Sequence, residues 1–220
     1  MFYSSLINEI SNHIQHAVST YGVCNLMLTG GRSAHVLYKE WAKSFHGLPK
    51  SIRIYFSDER AVPADHPESN FHLATSTLFP FGMPEFLIVN RLAADAKNID
   101  IATKNYDSIL PDRIDILLLS MGEDGHIASM FPGSPALLET ERKVMPIIGP
   151  KAPFQRLTIT PLVIQAAKRV YVLAIGEEKR RKYEEALLEP EDISSIPARL
   201  VLDRTWIFDL DEEIDECPKL

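Results

Sequence analysis

The chain has 220 residues, 45% of them hydrophobic and 24% charged. This is the size of one domain at about 150 residues each, with an ordinary globular composition that excludes disordered, collagen-like and coiled-coil classes. With 23 Lys and Arg against 30 Asp and Glu, the net charge is −7; that argues against nucleic acid or an anionic membrane as partner, while a local basic pocket could still hold a small anion.

Apolar residues at Leu6, Ile10, Ile14 and Val18 predict a helix over Ser4–Thr20. Val23–Leu28 predicts a short buried strand ending at Thr29-Gly30-Gly31, followed by a helix over Ala34–Phe45. Ile52–Phe56 predicts a second strand, ending at Ser57-Asp58-Glu59-Arg60, and Ser69 a cap for a helix through Leu78. Phe86–Val89 is a strand candidate, and Asp95–Leu110 an amphipathic helix. Ile114–Leu119 is the most apolar strand and ends at Met121-Gly122-Glu123-Asp124-Gly125-His126. Val144–Ile148 and Leu157–Thr160 are further strands, with a helix from Pro161 to Ala167. Val170–Ile175 is a strand ending at Gly176, Glu177–Leu188 a charged helix, and Trp206–Leu210 a last strand before the acidic run Asp209–Glu216.

Apolar strands alternating with helices predict a single α/β domain over 1–220: a doubly wound, mostly parallel, Rossmann-like sheet with helices on both faces. Ligands of such sheets bind outside the carboxyl ends of the strands. That rule singles out Thr29–Ser33, Ser57–Arg60, Gly122–His126 and Gly176–Lys179 together.

Each segment has two readings. Gly30-Gly31-Arg32-Ser33 fits a phosphate cradle at a helix start, or a tight turn with Ser33 as N-cap. The dinucleotide and ATP-binding glycine fingerprints are absent. Asp58-Glu59-Arg60 fits an anion site through Arg60, but taken alone it reads better as a solvated charged loop. His126 is suited to proton transfer near neutral pH, with Asp124 to orient it; a residue bonding its own turn is the plainer alternative. Lys179, Lys151 and Arg156 could complete a basic pocket or decorate helix and loop surfaces. The two cysteines, Cys24 and Cys217, suggest no disulfide framework and no metal-ligand spacing. The first residues, MFYSSLINEISNHIQ, lack a basic start and a long apolar core, so the expected setting is cytoplasmic.

Five stretches carry a resemblance: LTGGRSAHVLY (28–38), FSDERAVPADHPESN (56–70), LLLSMGEDGHIASMFPGSP (117–135), KAPFQRLTIT (151–160) and YVLAIGEEKRRKYEEAL (171–187). Together they resemble the 6-phosphogluconolactonases, a family related to the glucosamine-6-phosphate deaminases. The stretch around His126 is shared by both branches. Deaminases typically continue from this histidine to Asn-Glu-Pro-Gly and use that glutamate as a second acid–base group; here Phe131 holds the position. They also usually carry an aromatic residue after Asp-Glu, where this chain has Arg60.

The resemblance thus implies hydrolysis of a sugar-phosphate lactone with no metal and no cofactor. It implies His126, Asp124 and Arg60 as catalytic residues. Gly30, Gly31, Arg32, Ser33, Asp58, Gly125, Lys151, Arg156 and Lys179 are the implied substrate-binding residues. The expected partner is the small-molecule lactone, with neither nucleic acid nor membrane, and the expected state a monomer or small homo-oligomer. A deaminase or isomerase, and a non-catalytic sugar-phosphate sensor, are the alternatives.

Overall fold

The computed structural model describes residues 2–208. Helix α1 (Phe2–Tyr21) covers strand β1 (Cys24–Leu28) and buries Leu6, Ile10, Ile14 and Ala17, the stripe that helical spacing dictates. Helix α2 (Arg32–Trp41) follows and buries Leu37, Tyr38 and Trp41. Strand β2 (Ile52–Phe56), a second short strand β3 (Asp58–Arg60) and helix α3 (Asn70–Leu78) come next. Strand β4 is only Ile88–Val89. Helix α4 (Ile99–Ile109) begins later than its pattern predicts, because the Asn98 side chain accepts the Ile101 N–H and caps it there.

Strand β5 (Ile116–Ser120) is the centre of the fold, and Ile116 to Leu119 are fully buried. Strands β6 (Val144–Ile148) and β7 (Gln155–Ile159), helix α5 (Pro161–Ala166), strand β8 (Arg169–Leu173), helix α6 (Glu177–Ala186) and strand β9 (Thr205–Ile207) complete the described residues. The predicted last strand therefore starts one residue earlier and ends at Ile207. The acidic run Asp209–Glu216 and Cys217 lie outside the described residues.

Six strands form one parallel sheet in the order β4-β2-β1-β5-β8-β9. The chain steps outward from β1 to β2 and β4, returns to the centre at β5, and steps outward the other way. Right-handed crossovers in opposite directions carry their helices to opposite faces, the doubly wound arrangement that the pattern predicts. The order reverses between β1 and β5, so a crevice must open where the chain leaves these two neighbours.

The strands around Arg60 and Arg156 do not join this sheet. β3, β7 and β6 form a separate three-stranded antiparallel sheet, with Asp58 opposite Thr158 and Arg60 opposite Arg156. The solvated-loop reading of Asp58-Glu59-Arg60 is thereby corrected: Asp58 and Glu59 are buried, because neutral hydrogen-bond donors from residues 69–71 and from Ser129 satisfy their carboxylates. Two tyrosines hold the crevice edge. The Tyr38 hydroxyl accepts the Thr29 N–H (3.0 Å) and donates to the Thr29 carbonyl (2.8 Å). Tyr106 does the same for Phe56 (2.7 and 2.9 Å). Among the described residues, no helix is long and apolar enough to cross a membrane.

Candidate active site

At the end of β1 the backbone turns at Gly30 and Gly31 into α2. A Cβ on Gly30 would lie 1.8 Å from Oδ1 of Asn70, so the Asn70 amide packs where only glycine leaves room. Gly31 is the residue before the helix, at φ +89°, and no side chain caps it. The expectation of Ser33 as N-cap is therefore not met: Ser33 lies inside the first turn and accepts a hydrogen bond from Lys179 Nζ at 3.0 Å. Lys179 comes from the first turn of α6, which also starts at a glycine, Gly176, without a side-chain cap.

Two helix N-termini and one lysine thus meet at a recess of about 230 Å³, lined by Arg32, Ser33, Gly176 and Lys179 and also by Glu123, Glu177 and Glu178. Uncapped N–H groups and helix dipoles both favour an anion there. Burial, with the nearby Arg32 charge, lowers the Lys179 pKa to about 8, partly offset by Glu123. Arg32 itself reaches across to Glu123 at 2.7 Å.

The loop after β5 carries the histidine. The Gly122 N–H donates to the His126 carbonyl (2.9 Å) and the Gly125 N–H to the Gly122 carbonyl (3.0 Å). A Cβ on Gly122 would sit 2.1 Å from Cε1 of His126, so the imidazole lies directly against that glycine. Gly125 does not line the cleft: at φ +83° it faces Ile196, and its carbonyl accepts the Ala198 N–H at 2.8 Å. His126 Nδ1 is 2.5 Å from Asp124 Oδ1, which also accepts the His126 backbone N–H at 3.1 Å. Burial by itself raises the Asp124 pKa; the hydrogen bonds and charge of His126 outweigh it and hold the carboxyl below its ordinary range. The imidazole also packs against the Phe131 ring, with centroids 4.5 Å apart.

The antiparallel sheet supplies the opposite wall. Asp58 accepts from the Ser129 hydroxyl (2.6 Å) and the Asn70 amide (3.1 Å), which ties β3 to the histidine loop and to α3. Glu59 accepts the backbone N–H groups of Arg60, Asn70 and Phe71, each at 2.8 Å, and the Ser69 hydroxyl at 2.9 Å. Arg60 donates to the Glu68 carbonyl at 2.7 Å, and the Glu68 carboxylate is 3.5 Å away. Arg156 donates to the carbonyls of Pro153 (3.0 Å) and Lys151 (3.4 Å) and stands over the Phe131 ring. Burial and the charge of Arg60 lower its pKa. Two guanidiniums on directly opposed positions repel each other, and an anion between them would relieve that repulsion.

These elements enclose a cleft of about 680 Å³. Gly30, Gly31, Arg32, Asp58, Arg60, Asp124, His126, Lys151, Arg156 and Lys179 line it, so ten of the twelve residues singled out by sequence meet in one place. Ser33 lines the adjoining recess instead. Asn70, Ser120 and Phe131 also line the cleft without having been assigned to substrate or chemistry. Asn70 and Phe131 stand inside two of the five matching stretches, 56–70 and 117–135, and that was the available signal. Among the described residues, no three His, Cys, Asp or Glu side chains converge as a metal site.

Comparison with known proteins fits this geometry. The family described as glucosamine-6-phosphate isomerases/6-phosphogluconolactonase matches residues 1–208. A 6-phosphogluconolactonase of Homo sapiens is 37% identical over 200 residues, covering 84% of this chain and 77% of its own. The GDH/6PGL endoplasmic bifunctional protein of Homo sapiens is 34% identical over 188 residues, 80% of this chain but 24% of that protein, so the chain spans about a quarter of that longer relative. The crystal structure of a 6-phosphogluconolactonase from Shewanella baltica superposes with a TM-score of 0.79 at 27% identity, covering 94% of this chain and 91% of the other. A match that runs through every strand end lining the cleft leaves one conclusion: the chain belongs to the glucosamine-6-phosphate isomerase and 6-phosphogluconolactonase family.

Proposed function

We propose that the protein hydrolyses 6-phospho-D-glucono-1,5-lactone to 6-phospho-D-gluconate, the lactone step of the oxidative pentose phosphate pathway. One observation carries this reading. The His126–Asp124 pair shares a single cleft with Lys179, beside the recess at two helix N-termini, and with the Arg60–Arg156 pair. With Nδ1 engaged by Asp124, Nε2 is the nitrogen left to take a proton. In this reading Nε2 activates a water molecule, which is the nucleophile.

The water gives a proton to Nε2 as its oxygen adds to C1 of the lactone. The tetrahedral intermediate collapses, the bond from C1 to the ring oxygen breaks, and the imidazolium returns the proton to that oxygen. Arg60 or Arg156 stabilises the oxyanion and then the product carboxylate, while Lys179, Ser33 and the N-terminus of α2 hold the phosphate. Phe131 stands beside His126 and cannot transfer a proton, which disfavours the deaminase chemistry of the related branch. The reading carries with it a cytoplasmic setting and a monomer or small homo-oligomer.

The phosphate assignment has a pH signature. Below about 8 Lys179 is charged and binds phosphate directly. Above that pH the free protein must first take up a proton. Affinity for 6-phosphogluconate then falls up to about tenfold per pH unit. Calorimetric titration from about pH 7 to about pH 9.5 reads this slope, and Lys179→Arg, which stays charged, flattens it. Gluconolactone lacking the phosphate shows no such slope and a much higher KM. Equal KM values for the two lactones would remove the phosphate site from the account.

A further inference from the structure

Phe131 is buried, and three contacts fix its ring. The imidazole of His126 leans on it with centroids 4.5 Å apart and planes at 46°. The Arg156 guanidinium lies 5.3 Å from the same centroid, within range of a cation–π contact. Behind both is the backbone of Gly149: a Cβ there would come within 3.1 Å of Phe131 Cε2 and 3.0 Å of Arg156 Nε. With Asp124 and Pro150, the ring also lines a neighbouring apolar hollow that includes Pro132 and Ile147.

We infer that Phe131 is a positioning residue for the reaction, an aromatic plate that sets His126 and Arg156 at a fixed separation across the lactone carbonyl. Asp124 fixes the imidazole through one nitrogen and the Gly122 backbone stops it from one direction, which leaves the ring freedom to rock away from that glycine. Phe131 removes that freedom by contact with the ring itself. Arg156 is held by two backbone carbonyls along its length, and the plate fixes the face it presents. This role for Phe131 depends on His126 being the base. The base and the anion-stabilising guanidinium are then aligned by one side chain that touches neither proton nor phosphate. Misplacing a reacting group by about 1 Å can cost about 100-fold in rate, so loss of the plate acts on kcat and not on substrate binding.

The test compares Phe131→Leu, Phe131→Tyr and Gly149→Ala with the wild-type protein in lactone hydrolysis. Phe131→Leu is expected to lower kcat about tenfold with KM within about twofold. Phe131→Tyr keeps the aromatic face and retains kcat within about threefold of wild type. Gly149→Ala leaves the ring in place but pushes on it and on Arg156, and lowers kcat severalfold. It also keeps the test open if the leucine variant does not fold. The His126 Hε1 proton resonance supplies a readout without turnover: the ring-current shift imposed by Phe131 disappears in Phe131→Leu and persists in Phe131→Tyr.

Wild-type kcat in both Phe131→Leu and Gly149→Ala would overturn the inference. So would equal losses in the leucine and tyrosine variants, or a loss appearing in KM alone. An inactive wild-type protein would overturn the lactonase reading instead, and the resonance shift would then still decide whether the plate holds the imidazole.

Discussion

His126→Ala is expected to lower kcat for the phosphorylated lactone about 10²–10⁴-fold, the range that one positioned general base supplies. KM should stay within about threefold, because the proposed phosphate site of Lys179, Ser33 and the α2 N-terminus lies apart from the imidazole. Folding should be nearly unchanged: the imidazole is partly exposed, and its loss leaves only a small gap against Gly122 and Phe131. Asp124→Asn should give a smaller loss, since an amide can still bond the ring but no longer fixes the tautomer or stabilises the imidazolium. Steady-state kinetics corrected for spontaneous hydrolysis measure both. An alanine variant with wild-type kcat would move the base elsewhere in the cleft.

The second large effect is on stability. Glu59 sits at the N-terminus of α3 and accepts from three backbone N–H groups and one hydroxyl. Burial leaves its pKa above the ordinary glutamate value, and those four donors offset only part of that rise. Glu59→Ala leaves the Asn70 and Phe71 N–H groups without their acceptor near the base of the cleft. An unfolding penalty of about 3–5 kcal/mol is expected, because several charge-assisted bonds vanish together. Glu59→Gln should also destabilise, since its NH₂ would face N–H donors. Urea denaturation reads both as lower midpoints. The effect should extend to catalysis, because Asn70 packs on Gly30 and Arg60 shares the strand. A midpoint within error of wild type would mean that the carboxylate is dispensable to the fold.

The parallel sheet was legible because its signal is local. β1, β5 and β8 are runs of apolar residues, each ending at a glycine-bearing turn, and the reversal of order between β1 and β5 places those turns together. The antiparallel sheet was not legible. Asp58–Arg60 is a three-residue strand of charged side chains, and nothing near it in sequence announces burial. What buries it lies outside the strand itself: Leu157 and Thr158 on β7, Ser129 from the histidine loop, the Ser69 hydroxyl and the backbone N–H groups of Asn70 and Phe71. Asp58, expected to bind substrate, has both carboxylate oxygens engaged by Ser129 and Asn70, so what it visibly does is fasten one wall of the cleft to another. Phe131 drew notice only as a departure from the deaminase pattern. Its contact with Arg156 depends on β7 folding back over the loop, a placement that residue spacing does not encode.

The most direct test of the account follows lactone opening in the wild-type protein. Glucose 6-phosphate is oxidised in situ, fresh lactone is drawn through 6-phosphogluconate dehydrogenase, and the rate is compared with the uncatalysed background. In parallel, glucosamine 6-phosphate is supplied and ammonia is measured. The account predicts lactone opening well above background and no ammonia. Ammonia release without accelerated lactone opening would contradict it and assign the cleft to the deaminase branch despite Phe131.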